Sequence, residues 1–287
     1  MGLFFQQILN GLTLGSVYSL VALGLTLVYG ILHIPNFAHG ALYMVGAYIA
    51  FFLSGSLGAN YWVAMAGAAV VVAIMAVLSD RLVFHPLRNA PPLHHMIAAI
   101  GILLFLEAAV QAIWGAEFHR LRPPFPQILR FMDLTAPAQR LLIIAGAVVL
   151  MIALHLFLKK TTVGSTIIAM AQNREGAALV GIDANKVTIL TFAISGALAA
   201  IAATLFVPIN LIFPSMGHLV ILKAFVIIIL GGMGSIPGAI IGGMVIGFAE
   251  SLGAFYISTD YKDIIAFAIL VLILSVRPQG LFTAGVR

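Results

Sequence analysis

The residues that could do chemistry in this chain are the few polar ones set inside long apolar runs. Glu107 lies mid-run in ILLFLEAAVQAIW, Glu250 lies in GFAESLGAFY, and Lys223 opens the run 219–233. His33 and His39 flank a Pro-Asn interruption, and Asn210 ends another run. An ionised group in an apolar surround is costly, so such residues pair across helices or line a path for a polar solute or proton. Pairing is the plainer reading of Glu107 and Lys223, while Glu250 fits both. Asn36 and His39 fit holding the interruption first and touching a pathway second. Catalytic patterns are missing: there is no Gly-x-Ser-x-Gly, His-Glu-x-x-His or Walker lysine motif. His94–His95 has no carboxylate at ligand spacing, and the chain has no cysteine, so neither metal nor thiol chemistry is expected. No cofactor is implied, and the chain is not read as an enzyme. With no nucleotide site, any ATP is hydrolysed on another chain.

A second polar element is Gly164 to Asp183, GSTIIAMAQNREGAALVGID, bounded by Lys159, Lys160 and Lys186. Gly164 is expected to break the chain. Residues 166–180 suit one short helix, with Ile167, Ile168, Ala171, Ala178 and Leu179 on its apolar side. Gln172, Asn173, Arg174 and Glu175 are its polar ones. Gly181 suits the left-handed position that stops a helix, and Asp183 or Asn185 can cap the next. Such an element is either a knob offered to a soluble partner's groove or an ordinary amphipathic surface helix.

The elements that position these groups follow from composition. Of 287 residues, 62% are hydrophobic and 8% charged, with mean hydropathy +1.15. A soluble domain averages about 25% charged residues, so the class is an all-α polytopic membrane protein. The runs are continuous, unlike the alternation of a membrane barrel. A net charge of +5 fits retention beside anionic lipid better than nucleic acid binding. Spans are expected near 7–32, 37–54, 61–80, 96–114, 138–158, 187–210, 219–233, 238–256 and 262–276. That makes eight or nine, since 37–54 and 219–233 are short enough to be halves of broken helices.

Basic residues orient the chain. Arg81, Arg88, Lys159, Lys160, Arg174, Lys186, Arg277 and Arg287 fall on one side, Arg120, Arg122, Arg130, Arg140 and Lys262 on the other. The positive-inside rule places 80–95, 159–186 and the C-terminus in the cytoplasm. The N-terminus is then outside if all nine segments cross, and inside if one is re-entrant. The extracytoplasmic loop 115–137 holds Pro123, Pro124 and Pro126, which deny it a regular helix. It reads either as a basic surface for an acidic partner or as a packed cap.

Two Gly/Pro interruptions share a plan. Ile34–Gly40 (IPNFAHG) precedes an apolar helix, with Asn36 as its N-cap and Pro35 pushing His33–Ile34 toward extended geometry. Gly231–Gly238 (GGMGSIPG) precedes another, with small residues paired at Gly238/Gly242 and Gly243/Gly247. Repeated broken helices that meet at a solute path are a transporter pattern. By that reading Asn36, His39, Gly40, Gly234, Ser235 and Glu250 line the pathway. Close helix packing is the plainer use of most of the glycines.

Three motifs in order, IPNFAHGALYMVGAY, AQNREGAALVGI and GGMGSIPGAIIGG, give the chain an end-to-end resemblance. It resembles the LivH-type permease subunits of the branched-chain amino acid ABC importer family. The resemblance implies one permease domain over 1–287 in a bacterial inner membrane, in contact with lipid. It implies a second permease subunit, two cytoplasmic ATPase subunits and a periplasmic substrate-binding protein. It also implies that Ala169–Ile182 is the coupling segment seated in the ATPase cleft, through Ala171, Gln172, Asn173, Arg174, Glu175, Ala178, Leu179 and Gly181. Relatives often carry an arginine early in that segment, where this chain has Ile168. Similar permeases serve leucine, isoleucine and valine, and also other amino acids, urea or short amides. The competing class is an ATP-independent channel or secondary transporter for a small amide or amino acid, with Glu107 and Glu250 as ion groups.

Overall fold

A computed structural model describes residues 2–131, 134–258, 261–277 and 280–282. Met132 and Asp133 of the 115–137 loop, and Arg287 of the orienting charges, lie outside the described residues. The helices are α1 (Gly2–Leu32), α2 (Ala38–Gly55), α3 (Tyr61–Ser79), α4 (Pro92–Trp114), α5 (Ala138–Lys160), α6 (Thr162–Gln172) and α7 (Arg174–Leu179). They continue with α8 (Ala184–Phe206), α9 (Met216–Gly231), α10 (Ile236–Tyr256) and α11 (Lys262–Val276). Among the described residues seven helices are long and apolar enough to cross a membrane. α9 and α11, at 16 and 15 residues, fall short of the roughly 20 that a span needs.

α1 is the axis of the molecule. In its most apolar stretch 89% of the residues are buried, against 28%, 22% and 28% in the spans of α3, α4 and α5. α1 packs against α10, α8, α5 and α9, so α3, α4 and α5 turn their outer faces to what surrounds the protein. Glycine sets these distances. Gly243 and Gly247 of α10 lie against the backbone of Ser19 and Gly15 on α1, where any side chain would collide. Gly238 and Gly242 do the same against Gly231 and Ile227 of α9. The two small-residue rows of one helix thus seat two different neighbours, which is the packing use of such spacing.

Both interruptions are turns between helices. The first joins α1 to α2 and the second joins α9 to α10. His33 ends α1 with φ of 55°, left-handed where extended geometry was expected, because it closes the helix before Pro35. Asn36 accepts from the Ala38 N–H at 3.1 Å, which starts α2. In the second turn Gly232 and Gly234 take φ of 97° and 83°, and Ser235 caps α10 by accepting from the Gly238 N–H at 3.2 Å. Leu281 and Phe282 donate to the free carbonyls of Leu230 and Gly231, sealing the end of α9.

Among its described residues the loop after α4 has no helix, as its prolines require. It carries a short antiparallel hairpin, β1 (Ile128–Phe131) with β2 (Leu134–Pro137). His119 exchanges two 2.9 Å backbone hydrogen bonds with Ile212, and its ring stacks on Phe51 at 4.7 Å. The loop therefore packs as a cap against the segment between α8 and α9. α3 ends in a π-helical turn, Asp80–Phe84, that buries the Asp80 side chain.

Candidate functional site

Antiparallel helices bring the first half of α1, the starts of α5, α9 and α11, and the ends of α8 and α10 to one end of the bundle. A cavity of about 380 Å³ opens there, lined by Gln7, Asn10, Tyr18, Tyr43, Arg140, Asn210, Lys223, Glu250 and Lys262 among apolar neighbours. Small-molecule sites span roughly 300–1,000 Å³. Lys223 of α9 is its centre. Its ammonium lies 2.9 Å from Glu250 of α10 and 2.9 Å from Asp263 of α11. It donates to the Tyr18 hydroxyl at 2.9 Å, and that hydroxyl donates to Glu250 at 2.7 Å. Four helices are tied through one buried ammonium. Removing the Lys223 ammonium would cost about 3–5 kcal/mol, because the buried Glu250 carboxylate is then left uncompensated.

Arg140, in the first turn of α5, donates to the Asn10 side chain. Tyr43 of α2 is fully buried, lines the cavity, and its hydroxyl has no partner among the described residues. Leaving a hydroxyl unpaired costs about 1–3 kcal/mol, so its place beside a polar cavity is physically consequential.

Glu107 is paired as well. Its carboxylate meets the His218 ring of α9 at 2.5 Å, partly exposed on both sides. The pairing expected of Glu107 and Lys223 is thus observed, and Glu250 is both paired and cavity-lining.

The other end of the bundle carries the polar segment. Its helix begins at Thr162 and not at 166, and it is two helices, not one. Thr161 breaks the chain and caps α6, accepting from the Gly164 N–H at 2.9 Å. Gly164 sits inside α6, where it presses on the backbone of Phe157 and Leu158 at the end of α5. Asn173 leaves the helical range at φ −155° and ψ 103°, and caps α7 by accepting from the Gly176 N–H at 2.8 Å. Gly181 takes φ of 85°. Its N–H reaches the Ala178 carbonyl and the Ile182 N–H reaches that of Ala177, both at 3.0 Å, the paired bonds of a Schellman stop. Asp183 caps α8 by accepting from the Asn185 and Lys186 N–H groups.

The outcome is a short helix held out from the body. Asn173, Arg174, Glu175, Ala178 and Gly181 are exposed, and Leu179 and Val180 at its tip are 89% and 77% exposed. Ala171 and Gln172 instead line an apolar cavity of about 610 Å³, with Thr26, Gly30 and His33 of the α1 end and Gly234 and Ser235 of the second turn. Ile168, where an arginine was expected, lines it too.

The six residues expected on one pathway are therefore spread over three places. Glu250 is in the polar cavity, and Gly234 and Ser235 are in the apolar one at the opposite end. Asn36, His39 and Gly40 line neither. His39 is wedged between α1 and α8, 3.1 Å from the Val21 carbonyl and 3.2 Å from the Ser195 hydroxyl. Gly40 lies against the Gly217 backbone of α9. Tyr18, Tyr43 and Arg140 at the polar cavity, and Asp263 paired with its Lys223, are not among the residues expected from the sequence. Tyrosines inside apolar runs were the available signal for the first two. Arg140 and Asp263 sit at helix starts, where charge looks like ordinary loop composition.

Residues 7–274 match the family model described as branched-chain amino acid transport system / permease component. The chain is 38% identical, over 97% of its length and 95% of the relative, to the high-affinity branched-chain amino acid transport system permease protein LivH of Escherichia coli K12. It is 37% identical to the corresponding protein BraD of Pseudomonas aeruginosa, over 97% and 95%. LivM of Escherichia coli K12 is 24% identical over 94% of this chain and 68% of its own. Among solved structures, PsaBC from Streptococcus pneumoniae in complex with Fab shares the fold at TM-score 0.51 and 12% identity, over 96% of this chain and 91% of that one. With the apolar helices, the matched model and the relatives together, the chain belongs to the family of membrane-spanning permease components of branched-chain amino acid transport systems.

Proposed function

We propose that the chain is the transmembrane permease subunit of an ATP-binding-cassette importer of branched-chain or related amino acids. A second permease, two ATPase subunits and a periplasmic binding protein complete the importer. The exposed apolar tip of α7 carries this reading. Large apolar side chains held out beyond a capped, polar helix suit a groove in a soluble partner, and the family supplies the ATPase as that partner. α6–α7 then faces the cytoplasm, and the polar cavity faces outward as the vestibule that receives the solute. The apolar cavity joins the α6 base to the second turn and to the end of α1, so a pull on α6 reaches the central helix directly.

The channel reading needs Glu107 and Glu250 as free ion groups, and both are paired. Reconstitution separates the two. Liposomes holding this chain alone should pass no labelled leucine, and those holding all subunits should take it up only with ATP. Leucine flux through the single chain without ATP would overturn the importer reading.

A further inference from the structure

The polar cavity is electrically divided. On its α9–α10 wall Glu250 lines the cavity, and it shares the single ammonium of Lys223 with Asp263 of α11, which stands outside the lining. That cluster carries one net negative charge by simple formal count. On the α5 wall the Arg140 guanidinium has only the neutral Asn10 as its hydrogen-bond partner among the described residues, so its positive charge is uncompensated. Lys262, at the mouth, is exposed to solvent and screened there. The lining also includes Tyr43, whose buried hydroxyl, a donor and an acceptor, has no partner among the described residues. Leu14, Phe206, Phe213 and Val220 add an apolar stretch of wall, beside the neutral polar Gln7, Thr13, Asn210 and Ser251.

We infer that this cavity is a recognition site for the zwitterionic head of an apolar amino acid, held within the permease itself. The inference rests on the importer reading above and adds to it a site on this chain. Arg140 takes the α-carboxylate, for which a planar guanidinium offers two parallel N–H donors. Glu250, the carboxylate of that cluster that lines the cavity, takes the α-ammonium. The Tyr43 hydroxyl bonds to the head group, and the side chain rests on the apolar wall. An analogue that lacks either charge leaves one pole of the cavity unpaired. A neutral amide offers neither charge, so the same geometry selects amino acids over urea-like solutes. The site sits at the end of the bundle away from α6–α7, where a solute released by a binding protein first meets the membrane subunit.

The test uses the assembled complex of both permeases and both ATPases in lipid nanodiscs, without binding protein. Calorimetry measures L-leucine, isocaproate (no ammonium) and isoamylamine (no carboxylate). Binding of leucine at least tenfold tighter than either analogue, weakened tenfold or more by Arg140→Gln and by the sterically conservative Tyr43→Phe, supports the site. Arg140→Lys, which keeps the charge without the fork, should fall between. Each variant is first checked for assembly, and Tyr43→Phe, which only removes a hydroxyl, carries the test if Arg140→Gln fails to assemble. Leucine binding that is absent, matched by isoamylamine, or unchanged in Tyr43→Phe overturns the proposal. If the complete system still drives ATP-dependent leucine uptake in that case, the importer reading stands and only the site is lost. If uptake is absent too, the importer reading fails with it.

Discussion

Leu179 and Val180 have the most exposed large apolar side chains among the described residues, at 89% and 77%. They support almost nothing in the subunit itself, so substitution there should change its stability by no more than about 0.5 kcal/mol. Leu179→Asp is expected to lower uptake at least tenfold while membrane abundance and unfolding temperature stay level. Arg174→Glu should abolish uptake by the same logic, since it inverts the one basic group of α7. A transport assay beside an immunoblot of the membrane fraction checks both; full uptake in both variants would remove the coupling role. Glu107 makes the opposite case. Its pair with His218 is partly exposed, so Glu107→Gln should cost under about 1 kcal/mol, read as a small fall in unfolding temperature. The residues proposed for coupling stand out because a run of polar residues is rare in a chain with so few. The vestibule residues do not. Tyr18 and Tyr43 look like ordinary span aromatics until four helices converge on them.

At the scale of elements, glycine rows decide which helices touch. Gly247 meets the Gly15 backbone of α1, while a Cβ at Gly101 on α4 would meet no atom within contact range. Gly247→Leu is therefore expected to abolish a folded, monodisperse subunit, and Gly101→Leu to be tolerated. Size-exclusion profiles in detergent decide between them. The Gly-xxx-Gly spacing of α10 was readable in the sequence; which row faces α1 and which faces α9 was not, because a one-dimensional repeat does not name its neighbour. The polar segment shows the same limit. Gly181 as a left-handed stop follows from glycine's freedom at positive φ. The division at Asn173 depends on a side chain choosing to cap α7 at Gly176, a local competition that apolar periodicity does not report. Gly164, expected to break the chain, instead serves close approach to α5; both uses ask for the same missing side chain.

The whole molecule is an axis with two functional ends. α1 is buried over most of its length and joins a polar cavity near Tyr18 to an apolar cavity near His33, fifteen residues further along. Chain-wide composition made the membrane class plain, and the three ordered motifs carried the family. The separation of Glu250 from Gly234 and Ser235 depended on which ends the antiparallel helices share, and that lies in tertiary packing. In the proposed importer, coupling belongs to one end and solute entry to the other. The chain has no native cysteine, so Leu179→Cys introduces a single reporter. The central claim, that the α7 tip is the seat of the ATPase, is tested by labelling that thiol with a membrane-impermeant maleimide in inside-out vesicles. Labelling should be fast for the permease without ATPase subunits and at least tenfold slower once they are bound; equal rates in the two preparations would contradict it.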